Sequence, residues 1–288
     1  MPVEALSLCM IVKNEERVLS RCLDSVTGLA AEIIIVDTGS MDATPNIAVN
    51  YGAKVSAFDF AVVDFAAARN HALSRAHGRW ILVLDADEIL DPASAPLIRE
   101  LIAADENAGY YVQRVNRQTN SERATTDYVI RLFPNRSAYR YRGRVHETID
   151  ASILGEGGRL LRTGIRIDHD FALDPEARRR RNLWYIGILN EEITADPGDY
   201  SRLKFLAAEY HQLGMFDKAA EIAERIASVT PLDAEAHLHA GLYHLLYKVD
   251  HERARADFTR ALSLRPRYAE AESFLQLLAK HQSESSAW

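Results

Sequence analysis

Trp80-Ile81-Leu82-Val83-Leu84-Asp85-Ala86-Asp87-Glu88 is the stretch on which the reading of this chain turns. Five apolar residues run without a polar break, as in a strand buried on both faces of a parallel sheet. The run ends in two carboxylates separated by one alanine. In an extended segment such neighbours point the same way. Asp85 and Asp87 are therefore expected to converge at the carboxyl edge of the strand, where open α/β sheets bind ligands. Two like charges held together need something positive between them. The simplest candidate is a divalent cation, Mg or Mn, which takes hard oxygen ligands and completes its shell on substrate phosphates. A solvated Asp-rich turn, continued by Asp91-Pro92, is the competing interpretation.

Upstream, Leu6 to Val12 is a first buried strand that breaks at Lys13-Asn14-Glu15-Glu16. Val18, Leu19, Cys22, Leu23 and Val26 follow at helical spacing until Gly28. Ile33-Ile34-Ile35-Val36 is a β-branched strand ending at Asp37, and Thr38-Gly39-Ser40-Met41-Asp42 is turn chemistry. Thr44 before Pro45 is placed as the N-cap of a second helix, which Gly52 closes. Lys54 to Phe58 is a third strand. A helix from Phe65 to Ala76 then stops at Gly78. This alternation predicts a doubly wound, mostly parallel sheet. Neither a G-x-G-x-x-G nor a G-x-x-x-x-G-K-[ST] loop follows the first strand, so a dinucleotide fold and a P-loop are both unsupported. A nucleotide would instead meet polar strand ends: Lys13, Asn14 and Glu15, then Asp37 and Thr38, with Arg69 and Asn70 on the third helix. Helix capping and turn stabilisation are the alternative roles for Glu15, Asp37 and Asp42.

The chain has 288 residues, enough for one large domain or two ordinary ones. A net charge of −7 argues against nucleic-acid binding through bulk charge. Only two cysteines are present, Cys9 and Cys22, which implies buried thiols and a reducing compartment. The first residues carry no basic segment of a signal sequence. No run reaches the roughly 18 apolar residues of a membrane span. A soluble, cytoplasmic protein is expected.

The ordered series Met10-Ile11-Val12-Lys13-Asn14-Glu15-Glu16, Val36 to Thr44, Ala67-Ala68-Arg69-Asn70 and Leu84-Asp85-Ala86-Asp87-Glu88 resembles the family-2 glycosyltransferases of GT-A fold. That resemblance implies a nucleotide-sugar donor, usually a uridine diphosphate (UDP) sugar, and a metal bridging its diphosphate. Position by position, it implies that Glu15, Asp37 and Arg69 contact the nucleoside half, with Lys13, Thr38 and Asn70 nearby. Val12, Asn14 and Ala86 belong to the same donor-binding set, and Asp85 and Asp87 serve metal and sugar.

Further strands are expected over Gly109 to Arg117, Asp127 to Phe133 and Ile165 to Asp170. The segments Arg131-Leu132-Phe133-Pro134-Asn135-Arg136 and Arg144-Val145-His146-Glu147, with the late His169, resemble the subgroup of these enzymes that carries tetratricopeptide repeats. His169-Asp170-Phe171-Ala172 departs from the H-x-G-Y usual there. Metal coordination needs ligands beyond the aspartates, and His146 and His169 are the imidazole candidates, which favour Mn over Mg. An inverting transfer also needs a carboxylate base. Glu147 is the candidate, with Glu88 and Asp170 as alternatives. Arg140, Arg142 and Arg144 alternate, and face either the donor phosphates or solvent.

After Asp174-Pro175 a basic run, Arg178 to Arg181, opens a long helix with a solvated face. From Tyr200 the composition turns to Ala, Leu and Glu at helical spacing. Two units end at Pro231 and Pro266, one residue further apart than the tetratricopeptide period of about 34. The extra residue falls near Lys248-Val249-Asp250. Arg267 to Lys280 would be a capping helix, followed by a frayed tail from Gln282. The scatter of His211, His237, His239, His244 and His251 argues for packing roles. The expected organisation is a GT-A domain over 1–173, a connecting helix over 174–198 and helical repeats over 199–288. Two repeats are few to stand alone, so packing on the first domain through the connecting helix is expected, with acceptor docking or self-association as its role. A sugar nucleotidyltransferase and a non-catalytic scaffold that binds a protein partner are the competing functions.

Overall fold

The structure, a computed structural model, describes residues 6–118, 124–171, 174–248 and 250–285. It divides into two compact units, residues 1–173 and 174–288. In the first, β1 (Leu6–Val12), β2 (Glu32–Asp37), β3 (Lys54–Ala57) and β4 (Trp80–Val83) run parallel. They are joined by α1 (Leu19–Ser25), α2 (Thr44–Asn50) and α3 (Phe65–Arg75). Then come β5 (Glu88–Leu90), α4 (Ala95–Ala104), β6 (Ala108–Gln118), β7 (Ala124–Pro134), α5 (Asp150–Gly155) and β8 (Arg159–Phe171). One sheet results, in the order β3-β2-β1-β4-β7-β6-β8-β5. β7 is antiparallel to both neighbours and β5 to β8, while β6 and β8 are parallel. The doubly wound, mostly parallel GT-A sheet is thus present, and mixed in its second half.

Both faces of the central strands are covered, which is why their sequences are unbroken apolar runs rather than alternating ones. Leu6, Leu8, Met10 and Val12 of β1 enter one core, and Cys9 enters the other with Ile34 and Val36. Trp80, Ile81, Leu82 and Val83 of β4 are all buried. Burial of each such side chain stabilises the fold by roughly 1.5–3 kcal/mol. Trp80 stacks on Tyr110 at 5.9 Å between ring centroids. Both cysteines are buried thiols, and burial raises each well above the ordinary thiol range.

Two local expectations are corrected. Thr44 does not cap α2: Ala43 holds that position, and the Thr44 hydroxyl accepts from the Glu15 backbone N–H at 2.7 Å. β4 stops at Val83, and residues 86–87 form a turn into β5. The i and i+2 argument for Asp85 and Asp87 therefore lacks the extended backbone it requires.

The second unit is a stack of helices, each packed on the next: α6 (Pro175–Ala195), α7 (Tyr200–Gln212), α8 (Phe216–Val229), α9 (Ala234–Tyr243), α10 (His251–Leu264) and α11 (Ala269–Ser285). The Asp199 carboxylate caps α7 and Asp233 caps α9, one repeat period apart, each accepting from backbone N–H groups. The residue that stretches the second repeat is accommodated by a π-helical turn over His244–Lys248. Val249 lies outside the described residues. His244 is buried in that turn, with Nδ1 2.8 Å from Asp257 Oδ2 of α10 and Nε2 2.7 Å from Glu224 Oε1 of α8. It ties three helices together. α11 continues to Ser285, so the start of the expected frayed tail is helical, and residues 286–288 lie outside the described residues. No helix among the described residues is long and apolar enough to cross a membrane.

Candidate active site

The site lies at the carboxyl ends of β1, β2 and β4. Val12 closes β1 and accepts from both the backbone N–H and the hydroxyl of Thr38, which joins the ends of β1 and β2. Asn14 has a left-handed backbone (φ 58°), a conformation asparagine tolerates. Its N–H donates to Ser40 Oγ, and its side-chain oxygen accepts from the Met41 N–H. The Ala43 N–H donates to Glu16 Oε2, and the Glu16 N–H to Asp42 Oδ2. These bonds lace the two loops into one rigid edge. Asp37 Oδ1 accepts from both the N–H and the hydroxyl of Ser40, so this strand-end acid also braces the turn after β2. Lys13 is exposed on the same edge.

α3 brings in the cationic side. Asp64 caps it, and Ala66, Ala68, Ala72 and Leu73 are its small or apolar buried face. Close packing on these alanines carries Arg69 inside with them, 7% exposed. Arg69 Nη2 donates to Asp85 Oδ1 at 2.7 Å and Nε donates to Glu147 Oε1 at 2.5 Å. The second oxygen of Asp85 accepts from Arg131 of β7, which also donates to Glu88 Oε1 at 2.6 Å. Arg114 of β6 bridges Glu88 and Asp127. Glu147, Arg69, Asp85, Arg131, Glu88, Arg114 and Asp127 thus form one chain of alternating charge. Burial alone would raise the Asp85 carboxyl, but the Arg131 and Arg69 charges override it and hold it well below the usual carboxylate range.

This arrangement places the four expected metal ligands differently. The positive charge beside Asp85 is a pair of guanidinium groups, and both of its oxygens are taken. Asp87 turns elsewhere, and its Oδ2 lies 3.2 Å from His169 Nε2. On its far side His169 Nδ1 is 2.7 Å from the side-chain oxygen of Asn116. His146 is on a left-handed backbone (φ 50°) in the loop before Glu147. Among the described residues no group of three or more His, Cys, Asp or Glu is placed to hold a metal, so the four expected ligands do not assemble. Asp87 and His169 do meet. Burial lowers the His169 ring but is outweighed by the Asp87 hydrogen bond and charge, so its pKa is raised. Burial and the charges of Asp87, Asp85 and Asp42 push the Glu15 carboxyl up to about 7, so Glu15 shares the field of the acidic pair.

Asn70 faces the Tyr141 backbone. Its side-chain nitrogen donates to the Tyr141 carbonyl at 2.9 Å and its oxygen accepts from the Tyr141 N–H at 2.8 Å. It pins the loop that leads to Glu147. Arg69 faces the Asp85 and Glu147 carboxylates and the Tyr141 ring. The alternating arginines do not share one face: Arg140 donates to the Tyr139 carbonyl, Arg144 donates to the Val63 carbonyl, and Arg142 is exposed. Ala86 is buried in the turn between the two aspartates. Glu88 is fully buried, which removes it as a base that touches an acceptor. The Asp170 side chain and Ala172 lie outside the described residues.

Arg114, Arg131 and Asn116 are not among the expected site residues. For Arg131 a signal exists: it interrupts the apolar run Ile130-Leu132-Phe133, and a buried charge needs a buried partner. Asn116 carries no such signal.

The sheet order and the acidic edge define the class: a GT-A unit followed by tetratricopeptide-like helices. The chain belongs to glycosyl transferase family 2, whose sequence profile matches residues 7–168, more than half of its length. A TPR repeat-containing protein of Synechococcus elongatus is 43% identical over 149 residues, which is 52% of this chain and 36% of that one. The lipopolysaccharide core biosynthesis glycosyltransferase LpsC of Rhizobium meliloti is 36% identical over 118 residues, which is 40% of this chain and 42% of that one. This chain therefore spans less than half the length of either relative. S. aureus TarS, crystallised with UDP-GlcNAc, is similar in fold, with a TM-score of 0.51 at 13% identity over 94% of this chain and 92% of that one.

Proposed function

We propose that this protein transfers a glycosyl group from a nucleotide sugar of the uridine diphosphate class, with a divalent ion at Asp87 and His169. The Asp87–His169 contact at the carboxyl edge carries this reading. Family membership supports it, as does the UDP-GlcNAc bound by the similarly folded TarS. A carboxylate and an imidazole suit Mn somewhat better than Mg, and substrate phosphates and water commonly complete such a shell. Such an ion neutralises charge on a departing diphosphate. Asp85 contributes as an arginine-locked acid rather than as a metal ligand.

The donor's nucleoside half is assigned to the laced edge formed by Val12, Lys13, Asn14, Glu15, Asp37 and Thr38. Glu147 is assigned as base. Arg69 holds one of its oxygens and so fixes the carboxylate plane. In the transfer, Glu147 takes the proton of the acceptor's nucleophile, the new bond forms at the anomeric carbon, and the diphosphate leaves with the electron pair of the broken bond. The acceptor is not assigned. Residues 1–173 would carry the reaction and the repeats over 199–288 would dock an acceptor, a protein partner or a second copy, joined by the 174–198 segment. The two buried thiols suit a reducing compartment such as the cytoplasm.

Titration calorimetry with uridine diphosphate tests the donor and metal together. Binding is expected only with Mn or Mg present, and it should disappear in Asp87→Ala. A folded protein that binds no uridine diphosphate with either ion would refute the proposal. Hydrolysis of a panel of nucleotide sugars would then identify the sugar.

A further inference from the structure

We propose that Asn116 is a positioning residue that sets the tautomer and direction of the His169 ring. The inference rests on the metal reading above only for its consequence; the geometry stands without it. Asn116 and His169 are directly paired residues of the parallel β6–β8 ladder, and His169 also pairs with Glu88 of β5. Directly paired residues share a face of the sheet. With the amide in this orientation the Asn116 oxygen, 2.7 Å from Nδ1, can only accept, so Nδ1 carries the proton of that hydrogen bond. In the neutral ring the lone pair is then on Nε2, which points at Asp87 Oδ2, 3.2 Å away. Two acceptors facing each other at that distance repel unless a cation or a proton lies between them. Asn116 would thereby present Nε2 of a strand-end histidine to an ion at the acidic edge. Outer-shell partners of this kind are typically worth about 10–100-fold in metal affinity.

Two measurements on the described protein and its variants test this. Long-range 1H–15N correlation of histidine-labelled, metal-free protein in mildly alkaline buffer reads the tautomer, with His169 assigned by its loss in His169→Gln. The expected form is Nδ1–H in the wild type and in Asn116→Asp, which keeps the acceptor, with loss of that preference in Asn116→Leu. Manganese binding in the presence of uridine diphosphate, followed by the electron paramagnetic resonance of the free ion, should weaken about 10–100-fold in Asn116→Leu and be retained in Asn116→Asp. A wild-type ring protonated at Nε2 overturns the inference. So does an Asn116→Leu protein with an unchanged melting temperature whose tautomer and manganese affinity both match the wild type. If Asn116→Leu does not fold, the wild-type and Asn116→Asp spectra decide alone. Wild-type protein that shows Nδ1–H but binds no manganese supports the positioning role and sinks the metal reading instead.

Discussion

Arg69 and Asp85 meet at 2.7 Å between the third helix and the end of the fourth strand, with the arginine almost wholly buried. Removing the guanidinium leaves Asp85 and Glu147 short of a cation in a water-poor setting. Arg69→Met should cost about 3 kcal/mol in urea unfolding, the low end for breaking a buried pair, because Asp85 keeps some solvent and Arg131. Asp85→Asn in the same chain should recover about 1 kcal/mol or more of that loss. Strict additivity of the two changes would show that the contact does not couple them.

Asn70 holds Tyr141 by two hydrogen bonds to its backbone. Asn70→Ala leaves the Tyr141 N–H and carbonyl without these partners, at a cost of about 2 kcal/mol. Because Tyr141 leads into the segment that carries Glu147, transfer activity should fall while uridine diphosphate binding persists. Equal loss of both would place Asn70 at the donor instead.

Gly241 lies in α9 where an added Cβ would come within 2.6 Å of the Phe258 ring. That ring is stacked on Phe274 at 5.3 Å and cannot retreat easily. Helix propensity favours alanine by about 1 kcal/mol, but overpacking costs about 1–3 kcal/mol. Gly241→Ala should therefore lower the melting temperature of the helical unit, and Phe258→Leu in that background should restore part of it. A melting temperature raised by Gly241→Ala alone would contradict the close crossing.

Glu15 has a folded pKa of about 7, above its ordinary 4.5. The folded state then holds this proton more tightly than the unfolded state, so its contribution is full below about 4.5 and is lost as pH rises through 7. Glu15 is partly open to solvent, which reduces the effect to about 1 kcal/mol. Metal-free wild type should lose that much stability relative to Glu15→Gln between mildly acidic and mildly alkaline pH. Parallel stability profiles for the two proteins would show that the neighbouring carboxylates do not act on Glu15.

The alternation of strands and helices through β4 was legible because periods of 2 and 3.6 and the Gly and Pro stops are local signals. The repeat boundary followed from proline and small-residue spacing, and its extra residue appeared as the π turn at His244. The Asn14, Asp37 and Thr38 edge could be placed for the same reason: each residue ends or follows its own strand.

By itself the sequence determined the alternation of strands and helices through β4 and the arrival of Asp85 and Asp87 at one sheet edge. Only the tertiary structure decided that these two aspartates part company. Asp85 is claimed by Arg69, 16 positions away, and Arg131, 46 positions away, while Asp87 meets His169, 82 positions away. Such pairings follow from which strands lie side by side, and no local spacing records that. A half-buried carboxylate pairs with whatever polar partner the fold brings closest, and here the fold supplied arginine to one and imidazole to the other.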